Sequence, residues 1–262
     1  MLPTTRLGSL EVTRLVIGGN PFSGHSHWSA ERSREMVDWY TAARIKQTLQ
    51  EAEAAGINTF LGRADNHIMR LLHEYWQEGG GIQWIAQTAP ERASVEANID
   101  QAIGAGARAV YLHGGMVDTT FRAGRFDDLV PWVEHIRERG VPAGLATHNT
   151  EVLRHAVGAG LPVDFFCACF YDIYLRGEVY LPEDREAMSA LVRGVEKPCV
   201  AYKIMAAGRN DPEEAFAYAY RRIKPIDTVC VGMFTRDHAT QVAENAAYGA
   251  RFSALSHAGV AT

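Results

Sequence analysis

Short apolar and β-branched runs alternate along this chain with longer stretches of helical period. Eight runs read as strands, at residues 14–18, 59–62, 83–87, 109–113, 143–147, 165–170, 199–203 and 228–232. Between and after them, apolar positions recur three and four residues apart. This spacing predicts helices over 41–55, 68–78, 94–105, 126–139, 150–157, 183–195, 212–223 and 237–250. Ile45, Leu49 and Ala52 share one face of the first, and Leu129, Val133 and Ile136 one face of the fourth. Ser94 has the side chain of an N-cap, with Glu96 in the turn that follows. Several helices run out into glycine, at Gly56, Gly106, Gly140 and Gly160, where the left-handed conformation of a helix C-terminus is available.

The repeat is about 30 residues, the size of one βα unit. Eight such units joined by parallel crossovers close into a (β/α)8 TIM barrel, an α/β fold of eight parallel strands with outer helices. The 262 residues match one barrel, so a single domain over 1–262 is expected. An open doubly wound sheet is the alternative. Against it, Gly18-Gly19-Asn20-Pro21 is not a GxGxxG turn, and no helix follows it at once. Two connections break the regular spacing, at 20–40 and 171–182. Long loops at the C-terminal ends of barrel strands carry substrate contacts or act as lids.

Charge and composition narrow the partners. The net charge is −5 and no basic stripe is present, which argues against a nucleic-acid partner. No apolar run approaches the length of a membrane span, and the N-terminus lacks a signal-peptide pattern, so a cytoplasmic protein without a membrane partner is expected. Cys167, Cys169, Cys199 and Cys230 all lie in apolar strand-like runs and read as buried reduced thiols. Trp28 and Trp132 are the candidates for a contact between copies in a homo-oligomer.

In a barrel the chemistry sits where the strands end. Those positions hold Asn20, His25 and His27, then Arg63, Asp65 and His67, then Gln87. The next four strands deliver His113, then His148 and Asn149, then Tyr171 and Asp172, then Tyr202, Lys203 and, after a turn, Arg209. His113 and His148 follow apolar strands directly, in AVYLH and AGLATH, and are the leading catalytic candidates, as acid/base groups or metal ligands. Lys203 ends CVAYK, where a lysine serves as a base, an imine-forming amine or an anion contact, or else pairs with an acid such as Asp65. Asp65 is the fourth catalytic candidate, with helix N-capping as its structural alternative. Asn20, Arg63, Gln87, Asn149, Tyr171, Tyr202 and Arg209 are candidate substrate contacts. His25, His67, His113 and His148 offer enough ligands for a divalent cation, although no compact motif such as HExxH is present. His73, His135, His155 and His238 fall on predicted helices and read as packing or surface groups.

The order of segments resembles the aldo-keto reductase superfamily along nearly the whole chain. TRLGSLEVTRLVIGGNPFSG is similar to that family's N-terminal hairpin and first strand, and EAEAAGINTF to the approach to its second strand. AYKIMAAGR resembles the seventh-strand segment, and VGMFTRDHATQVAENAAYG the last strand and helix. The catalytic Asp, Tyr, Lys and His of the family are largely replaced. The resemblance puts the Asp position near Gly62, the Tyr near His67 and Gln87 at the Lys, and keeps only His113. It also implies that Tyr202 takes the place of the aromatic that stacks on the nicotinamide, while Thr235 and Arg236 are a weak remnant of the phosphate-binding pattern. The changed tetrad makes NADPH less expected than a divalent metal.

The expected function is acid/base chemistry by a small-molecule enzyme on a sugar-like or hydroxy-carbonyl substrate, of isomerase, lyase or hydrolase type. A bound cation would polarise the carbonyl oxygen. One alternative is an NADPH-dependent reductase whose proton donor is His67 or His113. The other is a non-catalytic protein that binds a small ligand.

Overall fold

A computed structural model describes residues 1–254, apart from the side chains of Leu175 and Arg176; residues 255–262 of the expected domain lie outside it. Eight parallel strands close into a barrel. In chain order they are β3 (Leu15–Gly18), β4 (Thr59–Arg63), β5 (Gln83–Gln87), β6 (Ala109–Leu112), β7 (Ala143–Thr147), β8 (Phe165–Cys169), β9 (Cys199–Tyr202) and β10 (Thr228–Gly232). Each pairs with its sequence neighbour, and β10 closes the ring on β3, with Val229 beside Leu15 and Gly232 beside Gly18. All eight expected strands are present, three with the expected ends and five with one end moved by a single residue.

Strand side chains alternate between two apolar environments. Outward residues such as Phe60, Trp84, Leu112, Leu145 and Phe166 belong to the core shared with the helices. Inward residues such as Val16, Ile85, Tyr111, Phe165, Val200 and Cys230 fill the barrel. All four cysteines are free and buried, as their apolar runs imply.

The barrel is closed at the bottom by a hairpin, β1 (Thr4–Leu7) and β2 (Leu10–Thr13), paired antiparallel. Its Leu7, Leu10 and Val12 join the interior cluster. Just after it, fully buried Arg14 ties the hairpin to the far end of the chain. Its Nε donates to the Asp227 carbonyl at 2.9 Å, one terminal nitrogen to Ser253 at 3.2 Å and the other to Lys224 at 2.9 Å. With the bottom plugged, access to the interior is from the C-terminal ends of the strands.

The helices are α1 (Ala30–Trp39), α2 (Ala42–Ala54), α3 (Asn66–Gln77), α4 (Val95–Gly104), α5 (Gly114–Arg122), α6 (Val130–Glu138), α7 (Thr150–Gly158), α8 (Ile173–Arg176), α9 (Pro182–Gly194), α10 (Pro212–Arg222) and α11 (Gln241–Ser253). Three of them, α1, α5 and α8, lie where the pattern predicts loop. The helix expected over 126–139 is a 3-10 turn at Phe126–Leu129 followed by α6, with Pro131 in the first turn of α6 where proline is tolerated. The last helix starts later than expected, so His238 lies in the preceding turn. No helix among the described residues is long and apolar enough to cross a membrane.

Candidate active site

The top of the barrel is built around the first turn of α5. His113 leaves β6 and becomes the N-cap of this helix, its Nδ1 accepting from the Met116 amide at 3.4 Å. His148 leaves β7 on the other side. Gly114 and Gly115 let the backbone pass between the two rings. A Cβ on Gly114 would lie 2.9 Å from His148 Cε1 and 3.3 Å from the Tyr202 hydroxyl, and one on Gly115 would lie 3.1 Å from His113 Cε1.

His148 is held by Asp118, which sequence reasoning missed. Gly114, Val117 and Asp118 form the buried face of α5, so the carboxylate is turned towards β7. It takes three donors. His148 Nδ1 lies 2.8 Å from Oδ2, the His148 amide donates at 3.1 Å, and the Thr147 hydroxyl donates to Oδ1. A carboxylate accepts only, so Nδ1 of a neutral His148 carries the proton and its Nε2 presents a lone pair.

His113 has the opposite tautomer. Its Nδ1 accepts from the backbone, so the proton sits on Nε2. Burial, reinforced by His148 and Arg63, lowers its pKa to about 4. The ring therefore stays neutral near pH 7. Tyr202 completes this group. Its hydroxyl donates to the Thr147 carbonyl at 3.1 Å and its ring meets His148 edge-on, with centroids 5.6 Å apart.

The other expected site residues fall into distinct roles. Asp65 caps α3, accepting from the Ile68 amide at 2.9 Å, and lies 3.5 Å from Arg63. Its partner is thus Arg63, not Lys203. Arg63 also reaches Glu91. Asn149 caps α7 and donates to Asp172 at 2.7 Å. Gln87 lies against the Tyr111 hydroxyl. Tyr171 is buried and accepts from Asn210 at 2.7 Å.

The two long connections meet over the mouth. Asn20 donates to His27 Nε2 at 3.0 Å, and His27 Nδ1 lies 2.7 Å from Glu178. Arg209 is sandwiched between Trp28 at 4.3 Å and Tyr180 at 4.4 Å. Burial opposes ionisation of Glu178, but hydrogen bonds from His27 and Tyr180 and the nearby Lys203 outweigh it and hold the carboxyl at about 2. His27, Lys203, Ala206 and Ala207 all take left-handed φ between 49° and 58°. Non-glycine residues are strained there, and such strain concentrates at functional sites. Trp132, the second expected interface aromatic, donates to Glu96 at 2.7 Å.

The four-histidine metal set is not assembled. His25 and His67 are exposed on the β3 and β4 connections, while Nδ1 of both His113 and His148 is already engaged. Among the described residues no three His, Cys, Asp or Glu side chains come together as a metal site. His67, exposed at the start of α3, is not enclosed with His113 and His148.

Fold and mouth together define a (β/α)8 barrel with a histidine-centred polar mouth. No family model and no curated protein matches the sequence. Solved structures match across nearly the whole chain. A Pseudomonas aeruginosa protein described as an aldo-keto reductase is 14% identical, with 94% of each chain covered and a TM-score of 0.65. An aldo-keto reductase from Bacillus halodurans in its holo form is 11% identical over 95% of this chain and 91% of that one, with a TM-score of 0.62. Yersinia pestis dihydropteroate synthase is 11% identical over 97% and 98%, with a TM-score of 0.57. At these identities the likeness is one of fold, and it extends to proteins of different named activities.

Thr235 and Arg236, which the reductase resemblance assigns to the cofactor phosphate, have partners within the chain. The amide of Thr235 donates to the Tyr40 hydroxyl at 3.1 Å, and its own hydroxyl accepts from Trp39 at 3.2 Å. Arg236 is paired with Glu35 at 3.2 Å and Asp237 at 3.4 Å. The Thr235 amide and the Arg236 guanidinium are thus engaged as donors, and two carboxylates flank the arginine.

Proposed function

We propose that this protein is an enzyme that moves a proton on a small hydroxy-carbonyl substrate, as an isomerase or lyase. The observation that carries the reading is the opposed anchoring of two imidazoles: His148 Nδ1 faces the Asp118 carboxylate, which leaves Nε2 to accept, and His113 Nδ1 accepts from the α5 backbone, which leaves Nε2–H to donate. His148 Nε2 takes the proton from the carbon next to the carbonyl. The His113 Nε2–H donates to the carbonyl oxygen as negative charge develops there. An imidazole held neutral at a helix N-terminus suits this role, because it donates a hydrogen bond without first having to lose a proton. Asp118 is a positioning residue that fixes the His148 tautomer and steadies the imidazolium formed on proton transfer. For isomerisation, His113 gives its Nε2 proton to the carbonyl oxygen and recovers one from the α-hydroxyl, while the His148 imidazolium returns its proton to the former carbonyl carbon; for elimination, the imidazolium protonates the β-hydroxyl, which leaves as water.

Solvent exchange tests this whichever product forms. The protein is incubated in D2O with free and phosphorylated three- to six-carbon hydroxy-aldehydes and hydroxy-ketones, and the proton signal next to the carbonyl is followed by NMR. Catalysed loss of that signal with at least one compound is expected. Reduction of the same compounds by NADPH without exchange would replace this reading with the reductase one, and tight binding without turnover would replace it with a binding protein.

A further inference from the structure

The sequence contains four lysines, and three of them have an obvious structural use. Lys46 pairs with Glu78 and Glu74. Lys197 donates to the carbonyls of Leu161 at 3.2 Å and Val163 at 2.6 Å. Lys224 pairs with buried Asp227 at 2.8 Å and also donates to Val192. Lys203 differs from all three. Its Nζ is buried at the top of the barrel with no hydrogen-bond partner among the described residues. The Tyr180 ring lies over it, 6.0 Å away, in the connection that forms the roof. Its backbone is left-handed, with φ 58°.

An unpaired buried ammonium is costly, whereas a neutral amine in the same place is less so. Burial pulls the Lys203 pKa down; Cys169 and Glu178 oppose the shift and Arg209 reinforces it. An anion-binding role would need a charged lysine and a second free cation. The nearby Arg209 is instead engaged by Trp28, Tyr180 and the carbonyls of His27 and Ala206, and the Glu178 carboxylate would repel an anion. A desolvated amine can then act as a base or as a nucleophile, and His148 already offers a base at this mouth.

We infer that Lys203 is a carbonyl-capturing amine that forms an imine with a short hydroxy-aldehyde or hydroxy-ketone admitted beneath the Tyr180 roof. The Nζ lone pair of the neutral amine attacks the carbonyl carbon, and the C=O π pair moves to oxygen. A proton passes from nitrogen to that oxygen to give the carbinolamine. A second proton, taken from solvent, lets the oxygen leave as water. The product is a protonated imine, and no oxidant or reductant is consumed. This inference is independent of the proton-transfer reading, since imine formation needs neither His113 nor His148.

The test is trapping with cyanoborohydride in the presence of glycolaldehyde, glyceraldehyde or dihydroxyacetone, followed by peptide mass mapping of the full chain. Lys203 is expected to label about tenfold faster than each of the other three lysines with at least one of these probes, as an activated amine should. K203M is expected to lose that adduct and no other. The inference is overturned if Lys203 stays unlabelled with all three probes while Lys46 reacts, the behaviour of a sealed structural amine. The wild-type map decides this even if K203M folds poorly. Loss of solvent exchange in the histidine variants with intact Lys203 trapping would separate the two sites.

Discussion

Replacing His148 with alanine is expected to lower the rate of catalysed solvent exchange by about 10²–10⁴-fold, the usual contribution of a positioned general base. The ring is partly exposed and sits at a strand end rather than in the packed interior, so the barrel should persist by circular dichroism. D118N should cost a comparable factor by a different route. The asparagine amide can donate to Nδ1, which moves the histidine proton to Nε2 and removes the lone pair that accepts the substrate proton. A purely structural Asp118 would instead lower stability and leave the ring tautomer and the rate per folded molecule unchanged. Measuring exchange rate, thermal midpoint and ring 15N shifts on the same samples separates the two.

The largest effect on stability is expected at the other end of the barrel. Arg14→Met keeps much of the aliphatic volume but removes a buried guanidinium that donates to the carbonyls of Asp227, Ser253 and Lys224. Those carbonyls would be left inside the fold without these donors, and the stack on Tyr220, now at 5.2 Å, would be lost. Leaving buried partners of a charged group unsatisfied costs about 3–5 kcal/mol. For a chain of this size that corresponds to a fall in Tm of roughly 10 °C, measurable by calorimetry. An unchanged midpoint would show that water or neighbouring groups replace the guanidinium. The mouth is far from this knot, so exchange per folded molecule should be unaffected.

The barrel was legible because its strands and helices differ in hydrophobic period, and glycines mark where one gives way to the other. What escaped the pattern is short or polar. The stretch GGMVDTTFR opens with two glycines and buries only a narrow face, so α5 reads as loop and Asp118 as an ordinary surface acid. A clue was available, because about thirty residues separate β6 from β7, room for more than one helix. The interval 20–40 conceals α1 for a similar reason: Arg, Glu and Ser dominate the helix itself, and within it Met36 alone is buried. His113 and His148 were legible because each directly follows an apolar strand. Their tautomers were not, since these depend on an amide and a carboxylate brought in by a helix that the periodicity does not reveal. The length of both roof connections was equally plain, but the contact of His27 with Glu178 joins positions 151 residues apart.

Ring nitrogen shifts of 15N-histidine-labelled protein, followed by NMR from neutral to acid pH, test the opposed pair most directly. The neutral form of His148 is expected to carry its proton on Nδ1 with Nε2 bare, and His113 to carry its proton on Nε2 and remain uncharged until about pH 4. Identical tautomers on the two rings, or a His113 that titrates near the ordinary imidazole value of about 6.5, would contradict the proposed division of base and donor.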